Sequence, residues 1–339
     1  MELPREALLA KDQFPTILGQ ERAKKQLAGA LLAKRHALIL GPPGVGKTTL
    51  AKNVAALLPQ QEVMACGYNC APKEPVCPSC KAGKTKNKQK IPGAERFVRV
   101  QGSPDLTVED LLGDLDPVKA LQFGPASFEA FTPGKIFRAN NGVLFFDELN
   151  RCPEKVQNAL LQVLEEGKAT LAGYTLELSA NFIFIATMNP EESAAIEKLS
   201  DVLLDRFDVV HIGYPESLDI EKKIVLEKGE TFDVQFPQHL LELAITFVRE
   251  LREHKDIVKK PSVRATIGLF ERAQTNALIH KRKSVTAEDV ASAVVSVLSH
   301  RIELRPSAKY AQSTEQFIAE QWNRFTAENR ELSEAGGSL

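Results

Sequence analysis

The sequence predicts a parallel α/β domain followed by a smaller all-helical domain, with a cysteine-rich insertion in the first. Three observations carry this. Apolar Ala37-Leu38-Ile39-Leu40 runs into the glycine-rich turn Gly41-Pro42-Pro43-Gly44-Val45-Gly46-Lys47-Thr48 and then into a helical pattern from Thr49 to Leu58. Further short apolar runs end in polar residues, Phe145-Phe146-Asp147-Glu148 and Ile185-Ala186-Thr187-Met188-Asn189, as strands buried on both faces do. After Gly213-Tyr214-Pro215 only helical periodicity remains.

In chain order, a helix is expected from about Glu21 to Leu32, with Ala23, Leu27, Ala30 and Leu31 on one face. Pro59 stops the helix that follows the glycine-rich turn. Residues 62–93 have little apolar periodicity and many breakers, so they read as an insertion, ending in a lysine-rich loop closed by Pro92-Gly93. Arg96-Phe97-Val98-Arg99-Val100 reads as the second strand, and 103–136 as a helix interrupted by a loop or hairpin. Gly142 to Phe146 is a buried strand, and Pro153 to Glu166 a helix ended by Gly167. Ala169 to Leu178 reads as a hairpin, and Phe182 to Thr187 and Asp208 to Ile212 as two more strands. Helices follow at about 217–228, 237–254, 263–280 and 287–300, and a last one at about 308–332. Ser262 and Thr286 are the expected N-caps, the latter with Asp289 in a capping box.

The formal charge is −1, from 43 basic and 44 acidic side chains, so no global basic field points to nucleic acid. No apolar run approaches the ~18 residues of a membrane span. The N-terminus lacks a signal-peptide layout, and the expected location is the cytoplasm.

The glycine-rich turn carries the spacing G-x-x-x-x-G-K-T between a strand and a helix. Its glycines let backbone N–H groups converge on a phosphate, and the helix N-terminus adds its dipole. Gly41, Pro42, Pro43, Gly44, Val45, Gly46, Lys47, Thr48 and Thr49 are therefore the candidate nucleotide-binding residues, with Lys47 on phosphate oxygens and Thr48 on Mg²⁺. Asp147, at a strand end, can hold the same metal, and Glu148 can deprotonate an attacking water. Asn189 ends the next core strand and can orient that water. Arg206 and Arg264, in this chain order, supply the positive charge that phosphoryl transfer needs.

Cys66-x3-Cys70-x6-Cys77-x2-Cys80 offers four soft ligands in one short loop. Four thiolates suit tetrahedral Zn²⁺ in a structural role, since no position is left open for a substrate water. An iron–sulfur cluster is the alternative. Cys152 reads as a small residue near a strand end, and the lysines at 81–90 as a solvated face.

The ordered motifs GPPGVGKT (41–48), FFDE (145–148), ATMNP (186–190), LLDRFD (203–208) and SVRA (262–265) resemble AAA+ ATPases. DELNR at 147–151 and the helix after it resemble MoxR-type ATPases. Leu58 to Pro72 and Ser103 to Asp116 resemble magnesium-chelatase I subunits. The resemblance spans about residues 14–302 and implies an AAA+ nucleotide domain at 1–213, a helical lid at 214–305, and a C-terminal helix and tail at 306–339. It implies that Asn189 is the sensor-1 residue, Arg206 the arginine finger reaching a neighbour's ATP, and Arg264 the sensor-2 arginine. It further implies a ring, expected to be a hexamer, in which an Mg²⁺-dependent ATPase remodels or matures a partner protein, often one with a von Willebrand A domain. Metal insertion is one version of that work. The alternatives are a nucleic-acid motor of the helicase or loader type, and a scaffold that binds ATP without turnover.

Overall fold

Five strands make the central sheet: β1 (His36–Leu40), β2 (Phe97–Gln101), β3 (Val143–Asp147), β4 (Ile183–Met188) and β5 (Phe207–His211). The computed structural model describes residues 3–124, 127, 130–166, 168–170, 177–179, 181–189 and 199–329. The strands pair in the order β5-β1-β4-β3-β2, every pair parallel. Helices Glu21–Leu32, Lys47–Ala56 and Glu154–Glu166 connect or flank them. The sheet interior is largely apolar, with Leu144, Phe145, Phe146 and Phe184 at 0% exposure. This is why these runs read as continuous rather than alternating.

The chain divides into two compact units. One holds 1–17, 21–41 and 46–212, and the other 18–20, 42–45 and 213–339.

In the first unit the cysteine insertion is better ordered than its composition suggests. Gln61–Met64 pairs antiparallel with Lys88–Ile91, so the end of the stretch read as a lysine-rich loop is a strand. Within 103–136, helix Val108–Leu112 leads to an antiparallel ladder, Gly113–Leu115 with Phe131–Pro133, and helix Pro117–Phe123 lies between its strands. Lys168–Thr170 pairs with Glu177–Ser179, as a hairpin requires. Its turn, Gly167 and the polar stretch 190–198 lie outside the described residues.

In the second unit, helices Leu218–Lys228, Gln238–Glu253, Val263–Ile279 and Ala287–Leu298 agree closely with the periodicity. Thr286 and Asp289 form the expected capping box. Ser262 occupies its N-cap position without a side-chain cap hydrogen bond. Two expectations fail. Strands do not stop at residue 215, because Ile257–Lys259 pairs with Glu303–Leu304. The last helix is two helices, Pro306–Ala311 and Thr314–Glu328. Gln312 is extended (φ −157°, ψ 159°), and Ser313 with Gln316 forms a capping box that restarts the helix. The second of these helices joins the unit's core, with Trp322 edge-on to Phe247 at 4.9 Å.

A buried ion pair ties the second unit together. Arg252 Nη1 and Nη2 donate to Glu221 Oε2 and Oε1 at 2.7 and 2.6 Å, and Arg252 Nε donates to the Pro261 carbonyl at 2.9 Å. Thr266 Oγ1 donates to Glu221 Oε1 at 2.6 Å. Burial alone would raise the Glu221 carboxyl, but the hydrogen bonds and charge of Arg252 outweigh it and hold the group below its ordinary value. Arg252→Ala would leave the buried carboxylate only Thr266 and a longer contact from Arg249 Nη1 at 3.3 Å, and is expected to lower the unfolding free energy by about 3 kcal/mol. Because the folded pKa is depressed from 4.5, the stabilisation is complete above that pH and fades as pH falls through the folded value. Denaturant titrations of wild type and variant across that range test both points. A loss under about 1 kcal/mol at neutral pH would mean that water reaches Glu221.

Candidate nucleotide and metal sites

Parallel strands put their carboxyl ends on one edge, where ligands of open α/β sheets bind. At that edge β1 runs into Gly41, β3 into Asp147-Glu148 and β4 into Asn189. The order β1-β4-β3 brings these three together across adjacent strands, and the Gly41 N–H donates to the Met188 carbonyl at 3.3 Å.

The turn after Gly41 depends on its glycines. Gly44 and Gly46 sit at φ +74° and +101°, which side chains other than glycine rarely adopt. Gly46 is the N-cap of helix Lys47–Ala56, has no side chain to cap it, and no acidic residue occupies the first turn. The first N–H groups of that helix therefore face the loop with their dipole uncompensated, a fit for phosphate oxygens. Lys47 Nζ donates to the Gly41 carbonyl at 2.5 Å, folded back over the loop. Within the second unit, to which 42–45 belong, a Cβ on Gly44 would lie 2.8 Å from Ser262 Oγ and 3.3 Å from Arg264 Cγ. Arg264 itself is exposed.

The acidic pair is held by residues that the sequence reading missed. Thr187, fully buried, donates its hydroxyl to Asp147 Oδ1 at 2.7 Å and accepts the Glu148 N–H at 2.9 Å. Arg99 Nη2 lies 2.6 Å from Asp147 Oδ2. Glu148 Oε2 accepts from Gln101 Nε2 at 3.0 Å and from Arg151 Nη1 at 2.9 Å. Glu148 has φ +57°, left-handed for a residue with a side chain, and strain of this kind collects at functional positions. Gly102 permits the arrangement, since a Cβ there would come within 2.0 Å of the Glu148 carbonyl oxygen. Asn189 is buried at the end of β4.

Arg206 is elsewhere. It immediately precedes β5, whose first residue, Phe207, pairs with His36 at the start of β1. The length of β1, five residues or about 16 Å at ~3.3 Å per residue, separates this end of the sheet from Gly41. Arg206 is partly exposed and ion-paired with Glu165.

The four cysteines converge. The sulfur atoms of Cys66, Cys70, Cys77 and Cys80 all lie within 4.8 Å of one another. Tetrahedral thiolates at ~2.3 Å from a zinc would be about 3.8 Å apart, so small shifts close the set. The Cys77 N–H points at Cys70 Sγ and the Cys80 N–H at Cys77 Sγ, each at 3.4 Å. Cys66 is held down at about 5, first by the hydrogen bond from the Cys70 thiol, and Cys70 is pushed up by the same bond and by burial. This donor set can bind a metal. Cys152 is buried in the same apolar core and is not among these four sulfurs.

The comparisons with known proteins agree with this arrangement. Residues 80–209 match the model of the ATPase family associated with various cellular activities (AAA), 249–321 that of the AAA lid domain, and 13–68 that of magnesium chelatase, subunit ChlI. The protein YeaC of Bacillus subtilis (strain 168), itself uncharacterized, is 30% identical over 304 residues, covering 83% of this chain and 81% of YeaC. The chain belongs to the AAA+ ATPases, in the clade of magnesium-chelatase I subunits and MoxR proteins. A magnesium-chelatase subunit ChlI homolog of Methanocaldococcus jannaschii is 28% identical, over 86% of each chain. The chaperone MoxR1 of Mycobacterium tuberculosis is 27% identical, over 85% of this chain and 73% of MoxR1. As an AAA+ protein it is an ATPase that uses ATP and Mg²⁺. Among the described residues, no helix is long and apolar enough to cross a membrane.

Thr187→Val, nearly isosteric, removes both hydrogen bonds that fix Asp147 and Glu148. Phosphate release by this AAA+ ATPase is expected to fall by up to about 100-fold while nucleotide affinity holds. Steady-state kinetics beside equilibrium binding of a fluorescent ATP analogue make the test. Wild-type turnover in the variant would show that Thr187 does not position the acidic pair.

Proposed function

We propose that the chain is one subunit of an ATP-driven ring that remodels a partner protein, each ATP lying between two subunits. The observation that carries this is the position of Arg206, a strand's length from its own chain's Gly41. An arginine side chain cannot bridge that gap, whereas a neighbouring subunit can bring its own Arg206 to the phosphates.

In this reading the N–H groups of Gly44 to Thr48 cradle the phosphates, and Lys47 leaves the Gly41 carbonyl to take a phosphate oxygen. Thr48 and Asp147 would hold Mg²⁺, which when bound neutralises charge on the phosphates. Glu148 takes the proton of the attacking water, and Asn189 orients that water. Arg264 contacts the γ-phosphate of its own chain, a role that its approach to Gly44 supports. The ring is taken to be a hexamer in the cytoplasm. The partner is taken to be a protein, with a von Willebrand A domain as the expected type. Metal insertion is one use of such a motor, as the names of the chelatase relatives suggest. The cysteine cluster takes zinc in a structural role, with no part in ATP chemistry.

Two experiments test these points. Lys47→Ala and Arg206→Ala proteins are each expected to be inactive, the arginine loss costing about 10³- to 10⁵-fold. Mixed at equal amounts, they should regain activity, because about a quarter of random interfaces pair an intact loop with an intact arginine. No recovery in any ratio means that the site is complete within one chain. For the cysteines, about one zinc per chain is expected by elemental analysis, and Cys77→Ser should lose it. Iron, or no metal after anaerobic purification, overturns the zinc assignment.

A further inference from the structure

The cysteine cluster is fastened to the starts of the two strands that carry the hydrolytic residues. The segment between Cys66 and Cys70 contains Tyr68 and Asn69, and both of their carbonyl groups are gripped from outside the insertion. Asn140 Nδ2 donates to the Tyr68 carbonyl and Asn141 Nδ2 to the Asn69 carbonyl, each at 2.9 Å. Asn69 returns a bond, its Nδ2 donating to the Arg138 carbonyl at 2.7 Å.

The same two asparagines reach forward. Asn140 Oδ1 accepts the Asn181 N–H at 3.0 Å, and the Asn141 N–H donates to the Asn181 carbonyl at 2.7 Å. Asn141 lies two residues before β3, and Asn181 two residues before β4. A third line ends here too. Arg96, almost fully buried, donates to the Asn141 carbonyl and to the carbonyl of Pro59, which closes the helix that begins at Lys47. Asn141 thus meets the insertion, the start of β4 and, through Arg96, the far end of the phosphate-loop helix. Its backbone is left-handed, at φ +60°, a conformation that asparagine and glycine tolerate.

We propose that Asn141, with Asn140 beside it, is a positioning residue that transmits metal occupancy of the four cysteines to the hydrolytic edge of the sheet. This rests on the zinc reading above. Metal bound at Cys66 and Cys70 fixes both ends of the segment whose two middle carbonyls the asparagines hold. β3 and β4 are short and buried except at their end residues, so a shift at their starts is carried to Asp147, Glu148 and Asn189 at their ends. The phosphate loop follows β1, which takes no bond from Asn140 or Asn141, so turnover should respond more than nucleotide affinity.

The variant of choice is Asn141→Gly, which keeps the left-handed backbone available and deletes only the side-chain bond to Asn69. Asn141→Asp, an isostere without the donor, is the second. Zinc content, kcat and KM for MgATP, and hydrogen exchange of the 138–147 segment are measured before and after stripping with a chelator selective for zinc over magnesium. In the wild type, stripping should lower kcat by about 2- to 30-fold with KM nearly constant, and exchange at 138–147 should rise. Both variants should keep their zinc, start from the lowered kcat, and lose no more on stripping. Such non-additivity is the mark of a shared route. Wild-type kcat in the variants, or the same fractional loss on stripping in all three proteins, overturns the coupling. Zinc-free wild-type protein overturns the zinc reading and the coupling together, so the two failures are told apart.

Discussion

The hydroxyl of Thr187 is the contact on which the hydrolytic edge depends. It gives its proton to Asp147 Oδ1 and accepts the Glu148 N–H, so one buried atom fixes a side chain and the backbone beside it. Glu148 needs that support. A left-handed residue with a side chain costs on the order of 1–3 kcal/mol, and the surroundings must over-determine it. Gly102 leaves room for its carbonyl, and Gln101 and Arg151 hold its carboxylate. The carboxylate is thereby held in one orientation before any substrate arrives, as the general-base role proposed for it would require.

What could be read from the sequence was what is local in the chain. The phosphate loop is a run of eight residues whose glycines, lysine and threonine declare their chemistry by spacing alone. Core strands showed as unbroken apolar runs because both faces are covered, and the large helices of the second unit showed their period. The four cysteines were legible for the same reason: they lie within fifteen residues of chain, and the structure brings their sulfurs together. Arg99, Gln101, Arg151 and Thr187 were not legible. Their partners are set by which strand lies beside which, and the order β5-β1-β4-β3-β2 is not written in any single segment. Arg99 and Gln101 alternate with Val98 and Val100 on β2, so they pass for the solvated face of an edge strand. The break at Gln312-Ser313 was missed because Ser313 with Gln316 is a start signal placed inside a stretch that otherwise sustains helical periodicity.

The two arginines that resemble catalytic groups differ in what the fold does with them. Arg264 sits in the first turn of helix Val263–Ile279, in the unit that also holds Gly44. Arg206 sits at the amino end of a sheet whose chemistry lies at the carboxyl end. An exposed ion pair with Glu165 is worth at most about 1 kcal/mol and is readily exchanged for a better anion. Under the proposed ring, Arg264 would serve its own chain's site and Arg206 a neighbour's, and a lone subunit would then be incomplete.

The insertion follows the same economy of attachment. A buried arginine usually needs a carboxylate, yet among the described residues Arg96 donates to neutral oxygens: Gln61 Oε1 at 2.7 Å and the carbonyls of Pro59 and Asn141. Burial lowers its pKa from the ordinary value, so the charge is held by dipoles alone. Those dipoles come from the end of the phosphate-loop helix, the first strand of the insertion and the turn before β3. Removing any one would leave a buried cation short of an acceptor, so the three segments are constrained to stay in register with one another. An excursion of some thirty residues would ordinarily be free to drift on its stem. Here the stem is bound at Gln61 by Arg96, and the far loop is bound at Tyr68 and Asn69 by Asn140 and Asn141. On the coupling proposed above, a shift in an insertion held at both places would be felt by the sheet.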